Sequence, residues 1–113
     1  MKIKTYEKYN AVIIELKGDV MGGDDTKEFN QLLHKLIDEG KKNVIVDLSG
    51  VKFMNSSGLG MLISGLTTMK KENGNLKLAN VGDKIESLLI ITKLITIFET
   101  YNSVDEAVKS LGE

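Results

Sequence analysis

The residues best suited to chemistry stand together in one stretch, Asp47–Gly60, with the sequence DLSGVKFMNSSGLG. The stretch begins at the end of a short apolar run, Asn43–Leu48, of the kind that forms a central strand buried on both faces. After Ser57 the apolar residues recur with helical spacing, so the stretch connects a strand to a helix. In open α/β sheets, ligands and reactive groups gather at that place. We therefore predict that the functional site lies here.

The first turn of the helix after Ser57 contains Gly58 and Gly60 and no carboxylate. The other predicted helices begin with a capping pattern, in which an N-cap side chain is followed three residues later by glutamate. Those patterns are Asp25 with Glu28, Asp83 with Glu86, and Ser103 with Glu106. We therefore expect the amides and the positive end of the Ser57 helix to be open to an external anion.

The glycines of this helix have two explanations. Gly58, Gly60 and Gly65 each cost about 1 kcal/mol relative to alanine inside a helix, and less near the first turn. Either a partner or a phosphate approaches them closely, or the helix packs tightly on the sheet while Ser56 or Ser57 serves as an ordinary N-cap. The spacing alone leaves both open.

Known catalytic and nucleotide-binding motifs are missing from the stretch. A dinucleotide loop would need a third glycine, and a P-loop would need lysine where Leu66 stands. The residue two before Ser57 is Asn55, whereas a nucleophile elbow requires glycine. The single histidine, His34, falls in the middle of a predicted helix, where a solvated side chain is expected. The sequence thus predicts a protein that is not an enzyme and binds no cofactor.

Carboxylates near the second predicted strand, at Asp19, Asp24 and Asp25, are of the type that binds Mg²⁺ or Ca²⁺. Asp25 is explained as a helix cap, and the intervening Gly22-Gly23 makes a flexible loop rather than a fixed cage. We therefore predict no metal site.

The composition restricts the class of protein and its partners. A chain of 113 residues is long enough for one core, so we expect one domain over 1–113. The net charge is −1 and all 15 cationic residues are lysines, which argues against a nucleic-acid or anionic-membrane surface. There is no cysteine, and no apolar run approaches the roughly 18 to 20 residues that cross a bilayer. The N-terminal residues alternate between polar and apolar types instead of forming the apolar run of a signal peptide. We therefore expect a cytoplasmic protein without membrane insertion.

Hydrophobic periodicity predicts the element order β-β-α-β-α-β-α-β-α. Alternation in Ile3–Thr5 and Val12–Leu16 indicates an antiparallel hairpin that turns at Lys8–Asn10. The later strands alternate with helices, which implies parallel strands joined by crossovers. Gly40 is expected to end the first helix, and a last strand is placed around Ile95–Phe98. The predicted fold class is α/β, with a mixed sheet, an N-terminal antiparallel hairpin and helices packed on the sheet.

The segment Val46–Ile63, VDLSGVKFMNSSGLGMLI, resembles the Asp-Leu-Ser … Asp-Ser-Ser-Gly-Leu-Gly signature of the STAS-domain family, specifically the bacterial anti-sigma-factor antagonists. Weaker likenesses at Leu16–Asp19, Gly74–Leu78 and Ser103–Ala107 extend the resemblance over nearly the whole chain. The resemblance implies a single STAS-like domain over 1–113 that works as a binding switch rather than as an enzyme.

Members of that family dock onto an anti-sigma factor that is itself a serine kinase, and thereby displace the sigma factor. The kinase phosphorylates the serine immediately before Gly-Leu-Gly, and a serine phosphatase reverses the modification. By position, the resemblance implies phosphorylation of Ser57. The implied partner-binding residues are Asp19, Met21, Met54, Asn55, Ser56, Ser57, Gly58, Leu59, Gly60 and Met61.

One residue departs from the family pattern, because Asn55 stands where the family has an acidic residue two positions before the phosphorylated serine. Either the kinase tolerates an amide there, or the protein is a poor substrate that signals constitutively. Asparagine keeps the hydrogen-bonding capacity of the acid, so we expect the first.

The sequence leaves three other functions open. A STAS module can act in another signalling complex or with a membrane transporter, without control of a sigma factor. A response-regulator receiver would use Asp47, yet the chain has no proline and begins with a hairpin, both unlike a receiver. An enzyme would need a nucleophile and base, and no such pair is visible.

Overall fold

The computed structural model describes residues 1–112, which form five strands and four helices. The strands are β1 (Lys2–Lys8), β2 (Ala11–Lys17), β3 (Asn43–Gly50), β4 (Asn75–Ala79) and β5 (Thr100–Tyr101). The helices are α1 (Asp24–Asp38), α2 (Ser56–Lys71), α3 (Asp83–Ile91) and α4 (Val104–Lys109), with a 3₁₀ turn at Leu94–Thr96 after α3. The predicted order of the elements is confirmed.

All five strands lie in one sheet, in the order β1-β2-β3-β4-β5. β1 and β2 pair antiparallel, and the turn between them places Tyr9 at φ 54°. β2 to β5 pair in parallel, so a crossover joins each of them to the next. The predicted mixed sheet with an N-terminal hairpin is therefore confirmed. The carboxyl ends of the four parallel strands share one edge of the sheet.

The two faces of the sheet are covered unequally. Side chains such as Val12, Val46 and Leu78 form the main core with the apolar faces of α1, α2 and α3. The opposite face carries a smaller cluster around Ile13 and Ile45, beneath α4. β3 is buried on both faces, as its continuous apolar sequence predicts. The loop that leads to α2 thus starts from the central strand of the sheet.

Polar contacts attach α4 to its face of the sheet. Lys77 is only 5% exposed, and its Nζ donates to Ser110 Oγ at 2.8 Å and lies 5.4 Å from the centre of the Tyr101 ring. Lys8 forms an ion pair with Asp105 at the other end of the helix. The Lys8 ammonium holds the pKa of the Asp105 carboxyl below its ordinary value.

The capping patterns predicted for two helices were wrong. The N-cap residues of α1 and α3 are Gly23 and Gly82, which offer no side-chain acceptor. Asp25 and Asp83 lie inside the first turn instead, where a carboxylate is stabilised by the helix dipole without capping. The third pattern is confirmed, because Ser103 Oγ accepts from the Glu106 amide at 3.1 Å.

The last strand was also placed wrongly. Strand β5 is Thr100–Tyr101, whereas Ile95 lies in the 3₁₀ turn and Phe98 is buried in the main core. Apolar residues that enter a core from a turn give the same short pattern as a strand, and a strand of two residues has no period to detect. The C-terminal end of α1 agrees with its prediction, since Gly40 follows it at φ 78° and its amide donates to the Ile37 carbonyl.

Candidate functional site

Two loops at the carboxyl edge of the sheet are joined by backbone hydrogen bonds. The Val20 amide, after β2, donates to the Phe53 carbonyl at 3.0 Å, and the Asn55 amide donates to the Val20 carbonyl at 3.3 Å. The Gly18 amide donates to the Gly50 carbonyl at 3.0 Å. These bonds continue the pairing of β2 with β3 beyond the strands. They fix the residues that immediately precede α2.

Asn55 caps helix α2. Its backbone is extended and its Oδ1 accepts from the Gly58 amide at 2.8 Å, so the N-cap is Asn55, and the alternative that Ser56 or Ser57 caps the helix was wrong. Ser56 and Ser57 lie inside the first turn, which contains no acidic residue. Within residues 1–112 their two amides donate to no protein acceptor. The helix start therefore keeps two free donors and its positive dipole end beside the serines.

The glycines of α2 serve different purposes. A Cβ at Gly58 would collide with the carbonyl oxygen of Val20, and a Cβ at Gly65 would come within 2.7 Å of the Phe29 ring. Both positions thus require glycine so that α2 can approach its neighbours. A Cβ at Gly60 would meet nothing within 4 Å, and the residue is exposed. The packing of residues 1–112 gives Gly60 no comparable role.

Ser57 is exposed and lies against the loop that follows β2. The contact is with Gly22, which has φ 82°, and a Cβ there would lie 2.6 Å from the Ser57 Cβ. The backbone of Ser57 is thereby fixed by α2 on one side and by this loop on the other. A serine that is held in place and open to solvent can be reached by the active site of another protein.

The structure divides the predicted partner-binding residues into two groups. The exposed or half-buried group consists of Asp19, Met21, Asn55, Ser56, Ser57 and Gly60. The buried group consists of Met54, Gly58, Leu59 and Met61. Met54, Leu59 and Met61 belong to the main core, and Gly58 packs against the Val20 carbonyl. We therefore restrict the candidate surface to the first group, and name these six residues the serine surface.

The sequence reasoning did not select Phe53, which is 48% exposed two residues before Asn55. Its signal was present in the sequence, because an aromatic residue follows Lys52 in a loop where most neighbours are small or polar. Exposed aromatic side chains are enriched where proteins bind one another.

Asp47 offers no free carboxylate at this edge. It is 6% exposed, and its Oδ1 accepts from the Ser49 amide at 3.0 Å and from Asn80 Nδ2 at 3.0 Å. The carboxylate thus ties the end of β3 to the residue after β4. A receiver would need an accessible phosphoacceptor, so this geometry argues for a structural role.

The remaining candidate ligands are dispersed. His34 is exposed on the middle of α1, and Asp25 lies 3.7 Å from the amino group of Met1. In the part of the chain that the structure describes, no three histidine or acidic side chains are grouped to hold a metal ion. None of its helices has both the length and the apolar character needed to cross a membrane.

The family model of the STAS domain aligns with residues 2–107 of this chain. The BtrV protein of Bordetella bronchiseptica is 21% identical, over 91% of this chain and 89% of its own length. The anti-sigma-B factor antagonist of Staphylococcus epidermidis is 33% identical over 67 residues. That alignment covers 59% of this chain and 62% of the relative, which is less than two thirds of its length.

Solved structures share the same fold. A Thermotoga maritima protein superimposes with a TM-score of 0.88 at 20% identity, over 98% of this chain and 95% of its own. The Bacillus cell fate determinant SpoIIAA in its phosphorylated form gives a TM-score of 0.74 at 17% identity, over 97% and 99% of the two chains.

Proposed function

The chain belongs to the STAS domain family, and we propose that it is an anti-sigma-factor antagonist that is switched off by phosphorylation of Ser57. In its unmodified form it binds an anti-sigma factor that is also a serine kinase, and so releases the sigma factor. The anti-sigma-B factor antagonist of Staphylococcus epidermidis supports the general assignment. The protein acts in the cytoplasm by binding, and not as an enzyme.

The observation that carries this proposal is the position of Ser57. It is an exposed serine in the first turn of α2, fixed against Gly22, with the free amides of the helix start beside it. The kinase transfers the γ-phosphoryl group of ATP to Ser57 Oγ, which loses its proton, and ADP leaves. A serine phosphatase then hydrolyses the phosphoserine to serine and phosphate. Neither step requires the domain to refold.

The modification acts through charge. A phosphoserine adds about 1.5 to 2 negative charges, which changes a chain of net charge −1 to about −3. The added charge lies within the serine surface. Since about 1.4 kcal/mol of binding free energy corresponds to a tenfold change in affinity, a loss of a few kcal/mol in complementarity releases the partner.

The chain itself has few means of neutralising this charge. It contains no arginine, so it has no guanidinium group that could bind the phosphate through two parallel hydrogen bonds. The amides of the helix start stabilise the phosphate but leave its charge exposed. We therefore expect the partner, rather than the fold of this chain, to respond to the modification.

Asn55 fits the proposal as a neutral cap. It supplies the acceptor that the Gly58 amide needs without placing a carboxylate two residues from the phosphoserine. A carboxylate at position 55 would repel the phosphate on Ser57, because both are negatively charged. An amide therefore favours the phosphorylated state more than an acid would.

Co-purification with the candidate serine kinase tests the proposal. Ser57→Ala should bind the kinase as the unmodified protein does, whereas Ser57→Asp should bind at least tenfold more weakly. Ser56→Asp is the matched control, because it adds the same charge on the adjacent exposed residue and should have a smaller effect. Equal binding by the alanine and aspartate variants at Ser57 would contradict a charge switch.

A further inference from the structure

We infer that the groove between residues 51–54 and α3 is a second docking surface, which receives an apolar side chain from an acidic, amphipathic segment of the partner. The identity of that partner, the anti-sigma factor, rests on the proposed function. The groove has a volume of about 240 Å³. Phe53 and Met54 line it from the loop, and Lys84, Ile85, Leu88 and Ile91 line it from α3.

Large apolar side chains border this groove and remain in water. Ile91 is 78% exposed and Phe53 is 48% exposed, and both line the groove. Burying apolar area is favourable in proportion to the area removed from water. Neighbouring exposed apolar residues around a concavity are typical of a surface that binds another protein.

The charges at the groove select an acidic segment. Lys84 lines the groove, and Lys52 and Lys84 both line an adjoining hollow of about 320 Å³, which Asp83 also borders. Among residues 1–112, neither lysine has a carboxylate within ion-pair distance. Carboxylates that flank an inserted apolar residue would therefore find two unpaired ammonium groups. A concave site suits an inserted side chain better than the flat surface of a membrane.

The groove adjoins the serine surface along the chain, because its lining residues Phe53 and Met54 immediately precede Asn55. Met54 lines the groove, and its Cγ lies 3.0 Å from the position that a Cβ at Gly58 would occupy. The Met54 side of the groove thus packs on the first turn of α2, which also contains Ser57. One partner can cover both surfaces, so the groove supplies affinity that phosphorylation leaves unchanged while the serine surface supplies the switch.

The test uses the full chain and a synthetic amphipathic peptide with leucines on one face and glutamates on the other. In a titration followed by NMR, the largest shifts should occur at Phe53, Lys84 and Ile91. Ile91→Ser should weaken binding about tenfold, because one side of the groove loses its apolar contact. Ile90→Ser is the matched control, since Ile90 is 56% exposed on the same helix but does not line the groove. A peptide with glutamine in place of glutamate should bind more weakly.

Equal binding of the peptide by Ile90→Ser and Ile91→Ser would overturn the proposal. NMR shifts confined to another surface of the chain would overturn it as well. Binding of the wild-type chain to phosphatidylglycerol vesicles but not to the peptide would overturn it in favour of a membrane.

A second experiment, with the serine kinase in place of the peptide, distinguishes failure of the groove from failure of the Ser57 switch. If Ser57→Asp loses binding while Ile90→Ser and Ile91→Ser both retain it, the groove is wrong and the switch stands. If Ile91→Ser alone loses binding, the switch is wrong and the groove stands.

Discussion

Ser57 and Gly22 meet so closely that a Cβ on Gly22 would lie 2.6 Å from the Cβ of Ser57. The contact joins the loop after β2 to the first turn of α2, and it fixes the serine that we propose as the switch. The backbone of Gly22, at φ 82°, is in a conformation that favours glycine. Gly22 therefore has to be glycine for two reasons, its backbone conformation and its close contact with Ser57.

Gly22→Ala should therefore lower the free energy of unfolding by about 2 to 3 kcal/mol, from backbone strain and the collision with Ser57 together. Gly40→Ala is the control, because Gly40 also has a positive φ, 78°, and a Cβ there would meet nothing within 4 Å. Urea denaturation of both variants measures the difference. Equal losses would show that the contact with Ser57 contributes nothing.

The N-cap of α2 gives a second prediction. Asn55→Ala removes the acceptor for the Gly58 amide and should cost about 1 kcal/mol of stability. Asn55→Asp keeps the acceptor and places a negative charge at the positive end of the helix, so its stability should equal or exceed that of the wild type by up to about 1 kcal/mol. Thermal unfolding compares the three proteins.

The same aspartate variant tests the tolerance of the kinase. Because Asn55→Asp restores the acid of the family pattern, equal rates of phosphorylation of the two proteins would show that the kinase accepts asparagine, as we predict. A many-fold faster reaction of the aspartate variant would support a wild-type protein that signals constitutively.

Gly58 and Gly60 lie two residues apart near the start of α2, and substitution by alanine should change the stability of the fold in opposite directions at the two positions. Gly58→Ala places a methyl group against the Val20 carbonyl oxygen and should destabilise the fold by about 3 kcal/mol. Gly60→Ala fills open space and should stabilise the fold by about 0.5 to 1 kcal/mol.

If Gly60 is kept for close approach of a partner, the more stable Gly60→Ala protein should also bind the serine kinase more weakly. Unchanged binding would remove Gly60 from the serine surface.

The ion pair at α4 gives a prediction about pH. Lys8 lowers the pKa of Asp105 in the folded state, so the stabilising contribution is present above the ordinary carboxyl pKa and is lost as the pH falls through the lower folded value. A ¹³C titration of the Asp105 carboxyl should show a pKa below its ordinary value, and Lys8→Met should raise that pKa toward the ordinary value. An identical titration in both proteins would mean that the pair does not form.

The element order and the mixed sheet could be predicted because long periodic segments reflect burial directly. The continuous apolar run of β3 and the one-sided apolar pattern of α1 each have one physical explanation. The position of β5 could not be predicted, since two residues carry no period and Phe98 enters the core from outside the strand.

The sequence predicted that the stretch Asp47–Gly60 connects β3 to α2, but it did not predict the local geometry of that connection. The family pattern marks Asn55 only as a departure, whereas its structural role follows from helix capping, because asparagine is among the preferred N-cap residues and stands directly before the first turn. The burial of Met54, Leu59 and Met61 depends on which side of α2 packs against the sheet. Helical spacing identifies that apolar side, but it cannot show that the loop residue Met54 also turns into the core.

The central claim is that Ser57 carries the switching phosphoryl group, and it is tested most directly by mapping the modification on protein isolated from its native cells. Intact mass followed by peptide fragmentation should show one phosphoryl group on Ser57, which Ser57→Ala abolishes and Ser56→Ala retains. A phosphoryl group that maps to Ser56 or to any other residue would contradict the account.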